Sequence, residues 1–239
     1  GVRLDDPEDL VPSAKITASS SLALKELKPD GPLVPLDRSR AQMLPVQKGR
    51  MPAATFRASV SEDTSLRIEL RSTLRAGNFS PDVVLASKVV GLKAGEDVPV
   101  QADFGVEVDQ PGYVYFCLLK NERVQVRTSE TRVTGLLSLT LSRTQRPDGD
   151  IGVEAFEFWC AGRRPGGQNL AFTLSRPLEA FRPENLANGF ARPTTGTNAW
   201  AADPGDKAPS VTLSWDRAQT IGRIEISLDT DFDHPLEPV

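Results

Sequence analysis

Histidine and cysteine are almost absent from this sequence. Among 239 residues there are one histidine and two cysteines, which excludes a zinc site built from several histidines or from four cysteines, and also a dense disulfide framework. Lysine and arginine number 28 against 32 aspartates and glutamates, so the net charge is −4. Nucleic acids and anionic membranes both attract basic surfaces. We therefore expect neither as a partner.

Long apolar runs and helical patterns are also missing. The run 113–119 is far shorter than the about 20 apolar residues that a membrane-spanning helix needs. No long window carries an apolar stripe at helical spacing, and Pro183 interrupts the best candidate, Leu178–Ala187. The 18 glycines and 19 prolines divide the chain into short segments, so long helices are not expected.

Alternating side chains are what the sequence does contain. Apolar residues at every second position from Val98 to Val108 predict a strand with one dry and one wet face. A turn signal at Asp109–Gly112 separates this strand from the apolar segment 113–119, so the two are predicted to form a hairpin. Short strands at this density predict an all-β sandwich. The further predicted strands are 83–92, 123–128, 133–141, 153–160, 170–174, 210–216 and 221–228.

Three regions follow from the distribution of prolines and strand patterns. Residues 1–54 are predicted to form an N-terminal strand and a proline-rich linker, 55–178 a β-sandwich, and 179–239 a second, partial sandwich. A two-sheet sandwich typically needs about 100 residues, more than the last region supplies. We therefore expect the C-terminal unit to be incomplete or to borrow a strand. The donor could be the N-terminal segment 11–24, a partner chain or residues outside this sequence.

The C-terminal unit carries motifs that resemble a known family. Its asparagine–glycine loop, tryptophan and following strands resemble the discoidin or galactose-binding-like sandwich, in the segments Pro183–Pro193, Thr197–Asp203, Val211–Trp215 and Ile221–Asp229. Other segments resemble the C-terminal region of a group of FAD-dependent oxidoreductases, namely Asp5–Leu10, Lys15–Ser20, Ala94–Asp97, Asp109–Tyr115, Arg163–Asn169 and Leu228–Pro235. The resemblance implies two sandwich units of jelly-roll or galactose-binding-like type.

The resemblance does not imply a flavin site in this chain itself. A dinucleotide fold needs Gly-x-Gly-x-x-Gly between a strand and a helix, so that the backbone can approach the pyrophosphate. The sequence has no such motif, since Gly162–Gly167 has the wrong spacing and contains Pro165. The resemblance therefore implies that FAD binds in a missing upstream domain, that this chain holds no cofactor, and that any activity belongs to residues outside it.

The best candidate binding residues lie in the loop of the C-terminal unit. Trp200 has Asn188, Arg192 and Asn198 close to it in sequence. Aromatic faces stack on the C–H groups of sugars, and amides and guanidinium groups form paired hydrogen bonds with vicinal hydroxyls. These residues are therefore weak candidates for carbohydrate binding. The favoured alternative for Trp200 is a structural role at the bottom of the sandwich.

Two other acidic groupings have plainer interpretations. Glu154 and Glu157 could form a glycosidase pair, but exposed strand residues are the favoured interpretation. The segment from Asp229 to Glu237 lacks the glycine of an EF-hand, because His234 takes that position. Solvated residues on an edge strand are favoured there over a cation site of another kind.

The two cysteines, Cys117 and Cys160, are expected to be unpaired thiols; a disulfide between them requires adjacent strands. Three functions stay open. The first is a non-catalytic β-sandwich region of an FAD-dependent oxidoreductase that binds a glycan. The second is a structural or interaction module that packs on the missing catalytic domain. The third, least favoured, is a stand-alone carbohydrate-active enzyme. The sequence does not indicate a compartment.

Overall fold

The computed structural model describes residues 9–74, 81–131, 133, 136–141, 156–159, 169–190 and 196–226. These residues form seventeen β-strands and two 3₁₀ helices, η1 (Val11–Ser13) and η2 (Pro183–Ala187). All the strand pairs among them are antiparallel. The predicted all-β fold class is therefore confirmed, while the domain boundaries stay predictions. No helix in these ranges is long and apolar enough to cross a membrane.

The first large sheet has six strands in the order β14-β13-β4-β11-β7-β8. In chain order these strands are β4 (Arg40–Val46), β7 (Thr64–Ser72), β8 (Val83–Leu92), β11 (Gly112–Leu118), β13 (Leu137–Leu141) and β14 (Phe156–Trp159). The bounds of β8 match the predicted strand 83–92. Within the described residues β8 pairs only with β7, so it forms one edge of this sheet.

The second large sheet has seven strands centred on β6 (Ala54–Val60). One side of β6 pairs with β9 (Gly95–Ala102), and the other side pairs with β12 (Val124–Ser129) and β16 (Phe172–Leu178). Beyond β12 and β16 lie the three remaining strands, β2 (Leu24–Leu27), β3 (Leu33–Pro35) and β15 (Asn169–Leu170).

Phenylalanine rings join the two sheets at the centre of the core. Phe56 on β6 meets Phe116 on β11 edge to face, with ring centroids 5.9 Å apart, and it meets Phe172 on β16 at 6.2 Å. All three side chains are fully buried. Burial of one phenylalanine is worth about 1.5–3 kcal/mol, and favourable ring geometry adds about 0.5–1.5 kcal/mol per pair.

The six-stranded sheet is buried on both faces near β11. Val114, Phe116 and Leu118 point into the core between the sheets. The alternate residues, Tyr113 to Cys117, belong to a second apolar cluster on the opposite face, where burial raises the pKa of both tyrosine hydroxyls. Because both faces are dry, the strand is a continuous apolar run rather than an alternating one. The other buried members of this second cluster are Ala41, Met43, Leu137 and Leu139.

A buried polar network also links the sheets. The side-chain oxygen of Gln42 on β4 accepts hydrogen bonds from the Ser138 hydroxyl and from the backbone N–H of Leu170, both at 2.8 Å. Its amide nitrogen donates to the Asn169 side chain at 3.2 Å. Gln42 and Ser138 belong to the six-stranded sheet, whereas Asn169 and Leu170 belong to the other. Gln42 and Ser138 are buried, so a lost hydrogen bond would leave a buried polar group without a partner.

The predicted hairpin of 98–108 with 113–119 is wrong. β9 pairs with β6 in the seven-stranded sheet, and β11 pairs with β4 and β7 in the other. Between them the strand breaks, with Gly105 at a φ of 61°, a conformation that glycine adopts without strain. A short pair, β5 (Gly49–Arg50) with β10 (Glu107–Val108), lies in this crossing. Alternation predicts a strand but not the sheet to which it belongs.

The predicted linker within 1–54 is also corrected by the structure. Residues 24–50 form β2 to β5, and β4 is buried along its whole length between β11 and β13. Pro45 is tolerated because the pairing of β4 with β13 covers only Arg40–Met43, so among the described residues no second strand requires a donor at Pro45. The apolar residues that surround the prolines therefore decide the structure here.

The N-terminal segment supplies a strand to the C-terminal unit, one of the sources expected from the sequence. β1 (Lys15–Ala18) pairs with β17 (Val211–Ser214), with Ile16 opposite Leu213. By contrast, residues 221–226 form no strand, although one was predicted at 221–228. Ile224 and Ile226 alternate there, but no pairing partner occurs in the described ranges. Residues 227 and 228 lie outside them.

Replacement of Gln42 by leucine tests the buried network. The variant removes the acceptor of the Ser138 hydroxyl and one acceptor of the Leu170 N–H, so we expect the free energy of unfolding to fall by about 1–3 kcal/mol in urea denaturation. The control is Gln101→Leu on the exposed side of β9, where the change should stay within about 0.5 kcal/mol. Equal effects of the two variants would contradict a role for this network.

Candidate functional site

The loop after η2 is held by asparagine side chains. Asn185 donates to the carbonyls of Ala180 and Ala199, both at 2.8 Å. The hydroxyl of Thr197 donates to the same Ala180 carbonyl at 2.8 Å. An asparagine amide that bonds two backbone carbonyls fixes the spacing between the segments that carry them. The two ends of the loop are therefore held together independently of any ligand.

Two of the predicted sugar-binding residues take part in this loop scaffold. Asn188 donates its side-chain amide to the Thr197 carbonyl at 3.2 Å and accepts from the Phe190 N–H at 3.1 Å. Asn198 donates to the Phe190 carbonyl at 3.2 Å. Asn188 and Asn198 thus lie on the two sides of one loop and are brought together through Phe190. Arg192, the third candidate, lies outside the described residues.

Trp200, the fourth candidate, connects the loop to the N-terminal segment. Its indole N–H donates to the Ser20 carbonyl at 2.9 Å, and the side chain is half-buried. The backbone beside it pairs with Leu22, whose N–H donates to the Ala201 carbonyl at 2.8 Å. Trp200 thus holds the loop to the N-terminal segment, and it does not belong to the buried core.

Residues 10–22 contact residues 200–215, and we call this contact the clasp. Asp206 lies at its centre. Its carboxylate accepts hydrogen bonds from the hydroxyls of Ser19 and Ser20, both at 2.6 Å, and from the Ala208 N–H at 3.0 Å. These bonds, with the serine hydroxyls first, lower the pKa of Asp206 below its ordinary value. The clasp therefore contains an ionised carboxylate at neutral pH.

A second tryptophan closes the clasp at its other end. The indole N–H of Trp215 lies 3.1 Å from the Leu10 carbonyl and 3.2 Å from the Ser13 hydroxyl. Between Trp215 and Asp206 runs the β1–β17 ladder. Trp200 and Trp215 thus both donate to the N-terminal segment, and both report on whether the clasp is closed.

A groove lies beside the loop, at the crossing between the sheets. Gly196 packs on the turn at Pro111 and Gly112, with the Gly112 nitrogen 3.5 Å from where a Cβ on Gly196 would lie. That turn is part of the wall of a groove of about 360 Å³. Its polar lining includes Glu107, Asp109 and Gln110, and its apolar lining consists of Val46, Leu85, Val106, Val108, Pro111, Val114 and the buried Tyr113. No lysine or arginine occurs among the described residues that line it.

Several predicted candidates fall outside what the structure describes. These are the acidic end from Asp229 to Glu237, Glu154, the side chain of Glu157, and Cys160. Cys117 is fully buried in the second apolar cluster. Within the described ranges no group of three or more histidine, cysteine, aspartate or glutamate side chains is arranged to hold a metal ion.

No sequence pattern points to the central residue of the clasp. Asp206 and Ser19 are separated by 187 positions, so no local pattern connects them. The groove is similarly built from β4, β7, β8 and β11 with the crossing segment around β10. The one available hint was the turn signal at Asp109–Gly112, whose residues do form part of its wall.

Comparisons with known proteins find no match for this chain. No family model, no curated protein and no solved structure matches this chain. Function must therefore be argued from the geometry described above.

Replacement of Asp206 by alanine tests the clasp. A carboxylate with a lowered folded-state pKa stabilises the fold above its unfolded pKa of about 3.9, and this contribution is lost as the pH falls through the folded value. We therefore expect the wild-type tryptophan emission to shift to longer wavelength only in acid, and the emission of D206A to be shifted already at pH 7. The control is Asp216→Ala, an exposed aspartate in the same unit. Identical emission of D206A and wild type at neutral pH would contradict the clasp.

Proposed function

We propose that this chain is a non-catalytic β-sandwich module whose C-terminal unit packs on another folded region of protein. The observation that carries the proposal is the exposure of isoleucines at the end of the described chain. Ile221, Ile224 and Ile226 expose 50%, 76% and 78% of their surface. Isolated apolar residues on a surface need no explanation, but three within six positions form a local apolar patch.

The architecture of the C-terminal unit supports the same function. Its described sheet has only two strands, β1 and β17, and a two-stranded sheet is marginally stable at best in water without further packing. The clasp supplies part of that packing through Trp200, Asp206 and Trp215. In the described part of the chain the isoleucines of 221–226 stay exposed. A partner that covers them would add about 25 cal/mol for each Å² of apolar surface removed from water.

The resemblance stated above suggests which region the module packs on. If the chain is the C-terminal region of an FAD-dependent oxidoreductase, the partner is the catalytic domain of the same protein, and FAD would bind there. A dinucleotide site needs a strand followed by an α-helix. The helices among the described residues are two short 3₁₀ turns, which supports placing the flavin in the other domain. Catalysis is accordingly not assigned to any residue of this chain.

Hydrogen exchange on the full gene product tests this proposal. The product of the complete reading frame should show flavin absorbance, and the amides of residues 221–226 should exchange at least about tenfold more slowly in it than in the 239-residue chain. The amides of β11 serve as the control, since they are buried in the core and should be equally protected in both. Equal exchange at 221–226, or a product without a flavin domain, would contradict the proposal.

Carbohydrate binding is a second candidate, and one observation favours it. The loop that carries Asn188, Asn198 and Trp200 rests through Gly196 on the wall of the groove. Carboxylate, amide and hydroxyl groups line that groove beside apolar walls, a combination that suits a sugar. Against it, the described candidate amides each already bond to the loop backbone.

A sugar titration separates the two candidates. If the loop binds carbohydrate, millimolar glucose or galactose should shift the amide resonances of residues 188–200 and 107–113, and Trp200→Ala should abolish the shifts. Trp215→Ala is the matched control, because it weakens the clasp at the opposite end. Absence of shifts in the wild type, or equal loss in the two tryptophan variants, would remove the carbohydrate candidate.

A further inference from the structure

The strand β8 presents an open backbone edge to solvent. Because the Leu119 N–H donates to the Arg67 carbonyl at 3.0 Å, the backbone groups of Arg67 point toward β11. Successive residues of an antiparallel strand point their N–H and C=O groups to opposite sides. The groups of Ile68 therefore point toward β8, and those of Lys88, its partner in the ladder, point back toward β7. The residues of β8 whose groups point away from the sheet are thus Ser87, Val89 and Gly91.

The edge of β8 is less protected against pairing than that of β9, the neighbouring edge strand of the other sheet. β9 carries two acidic residues and Pro99, features that discourage the addition of a further strand. β8 has no proline and a single charge, Lys88, and its ladder with β7 is regular over residues 86–92. Val89 keeps 63% of its surface exposed, and open space surrounds the position of a Cβ on Gly91. Another backbone can therefore approach this run closely.

Lys88 determines which strand fits this edge. It lies opposite the buried Ile68, so its side chain starts on the core-facing side of the sheet, between Ala86 and Val90. The side chain is exposed, and within the described part of the chain it forms no ion pair. An inward-pointing charge on an edge strand opposes pairing with an apolar strand, because the ammonium would lose water without gaining a counter-charge. A carboxylate opposite Lys88 removes this penalty.

We propose that β8 binds an extended segment of another protein by antiparallel strand addition, and that this segment carries a carboxylate opposite Lys88 with an apolar residue two positions to each side. Ala86, Lys88 and Val90 would occupy non-hydrogen-bonded positions of the new ladder, where opposing side chains lie closest. The carboxylate then meets the ammonium, and the apolar residues extend the core-facing row. Main-chain hydrogen bonds supply the affinity, and the charge supplies the specificity. This contact goes beyond the proposed packing function and uses a surface separate from the isoleucines of 221–226.

A second copy of this chain is disfavoured as the partner. If two β8 strands paired through their outward-pointing groups with the runs 86–92 overlapping, the two Lys88 side chains would lie directly opposite each other or as diagonal neighbours. Like charges at such positions destabilise a strand pair. The run contains no carboxylate to offset them.

The probe is the capped peptide acetyl-Thr-Val-Thr-Glu-Thr-Val-Thr-amide, titrated to millimolar concentration into the whole chain at low salt and followed by amide resonances. Resonances of residues 86–92 should shift, and the Val89 N–H should exchange more slowly. The peptide with lysine in place of glutamate should bind about two- to fivefold more weakly, the size expected for an exposed ion pair. Lys88→Glu should reverse this preference. Lys25→Glu, an exposed lysine on β2 in the other sheet, makes the same charge change and should leave the preference as in the wild type.

N-methylated peptides separate strand addition from a general charge effect without altering the protein. The two threonines beside the glutamate would direct their N–H groups at β8, so their N-methylation should abolish binding. N-methylation of the two valines, whose N–H groups would point to solvent, is the matched control and should be tolerated. Val89→Pro tests the same bonds from the protein side. It removes an outward-pointing donor that the ladder with β7 does not use, and it should also abolish binding.

Four outcomes would overturn this inference. They are equal binding of the glutamate and lysine peptides to the wild type, shifts confined to residues outside 86–92, undiminished binding of the peptide methylated at its threonines, and a dimer of the chain that protects the β8 edge without any peptide. The last outcome would assign the edge to a second copy. The packing function is judged separately, by exchange at 221–226, so either conclusion can stand when the other fails.

Discussion

Leu24 on β2 pairs with Leu178 on β16, and this contact brings the start and the end of the sandwich together. These residues lie on β2 and β16, which are neighbours at one side of the seven-stranded sheet. The chain therefore enters the sandwich and leaves it at adjacent points. A short connection joins β1 to β2, and the chain after β16 returns through residues 179–210 to β17, which pairs with β1. The C-terminal unit follows from this adjacency.

The aromatic core holds β16 in place beside β2. Phe56 and Phe172 belong to neighbouring strands of the sheet that contains β2, and they pack on each other. Phe56 also packs on Phe116 of the opposite sheet. A displacement of β16 would disturb this ring cluster, and interiors packed as densely as those of proteins resist such displacements. The aromatic core thus fixes the position of both chain ends, while the Gln42 network fixes how the sheets face each other at their far side.

Much of the fold could be predicted from local patterns. The predictions that failed did so for physical reasons. β8 was predicted with the bounds that the structure shows, because the segment 83–92 is rich in valine, a residue typical of strands. The hairpin of β9 with β11 was wrong because alternation carries no information on sheet membership, and a single glycine, Gly105, redirects the chain. β4 was missed because prolines suggest a linker locally, whereas its burial depends on β11 and β13, which come much later.

The candidate site shows the same division between local and distant information. Trp200 was identified from the sequence as the informative aromatic residue, and the structure shows it half-buried, with its indole N–H on the Ser20 carbonyl. Asp206 was not identified, since an aspartate in a polar loop has no local signature and its two serine donors lie at the other end of the chain. Sites formed by the meeting of chain ends are therefore the hardest to predict from one sequence.

The most direct test of this account is the proximity of the chain ends in solution. Nuclear Overhauser effects across the β1–β17 ladder, in the register that places Ile16 opposite Leu213, would establish that the N-terminal segment completes the C-terminal unit. The account predicts these cross-peaks together with strand-like chemical shifts over Lys15–Ala18. Random-coil shifts in that segment, with no cross-peaks to Val211–Ser214, would contradict it.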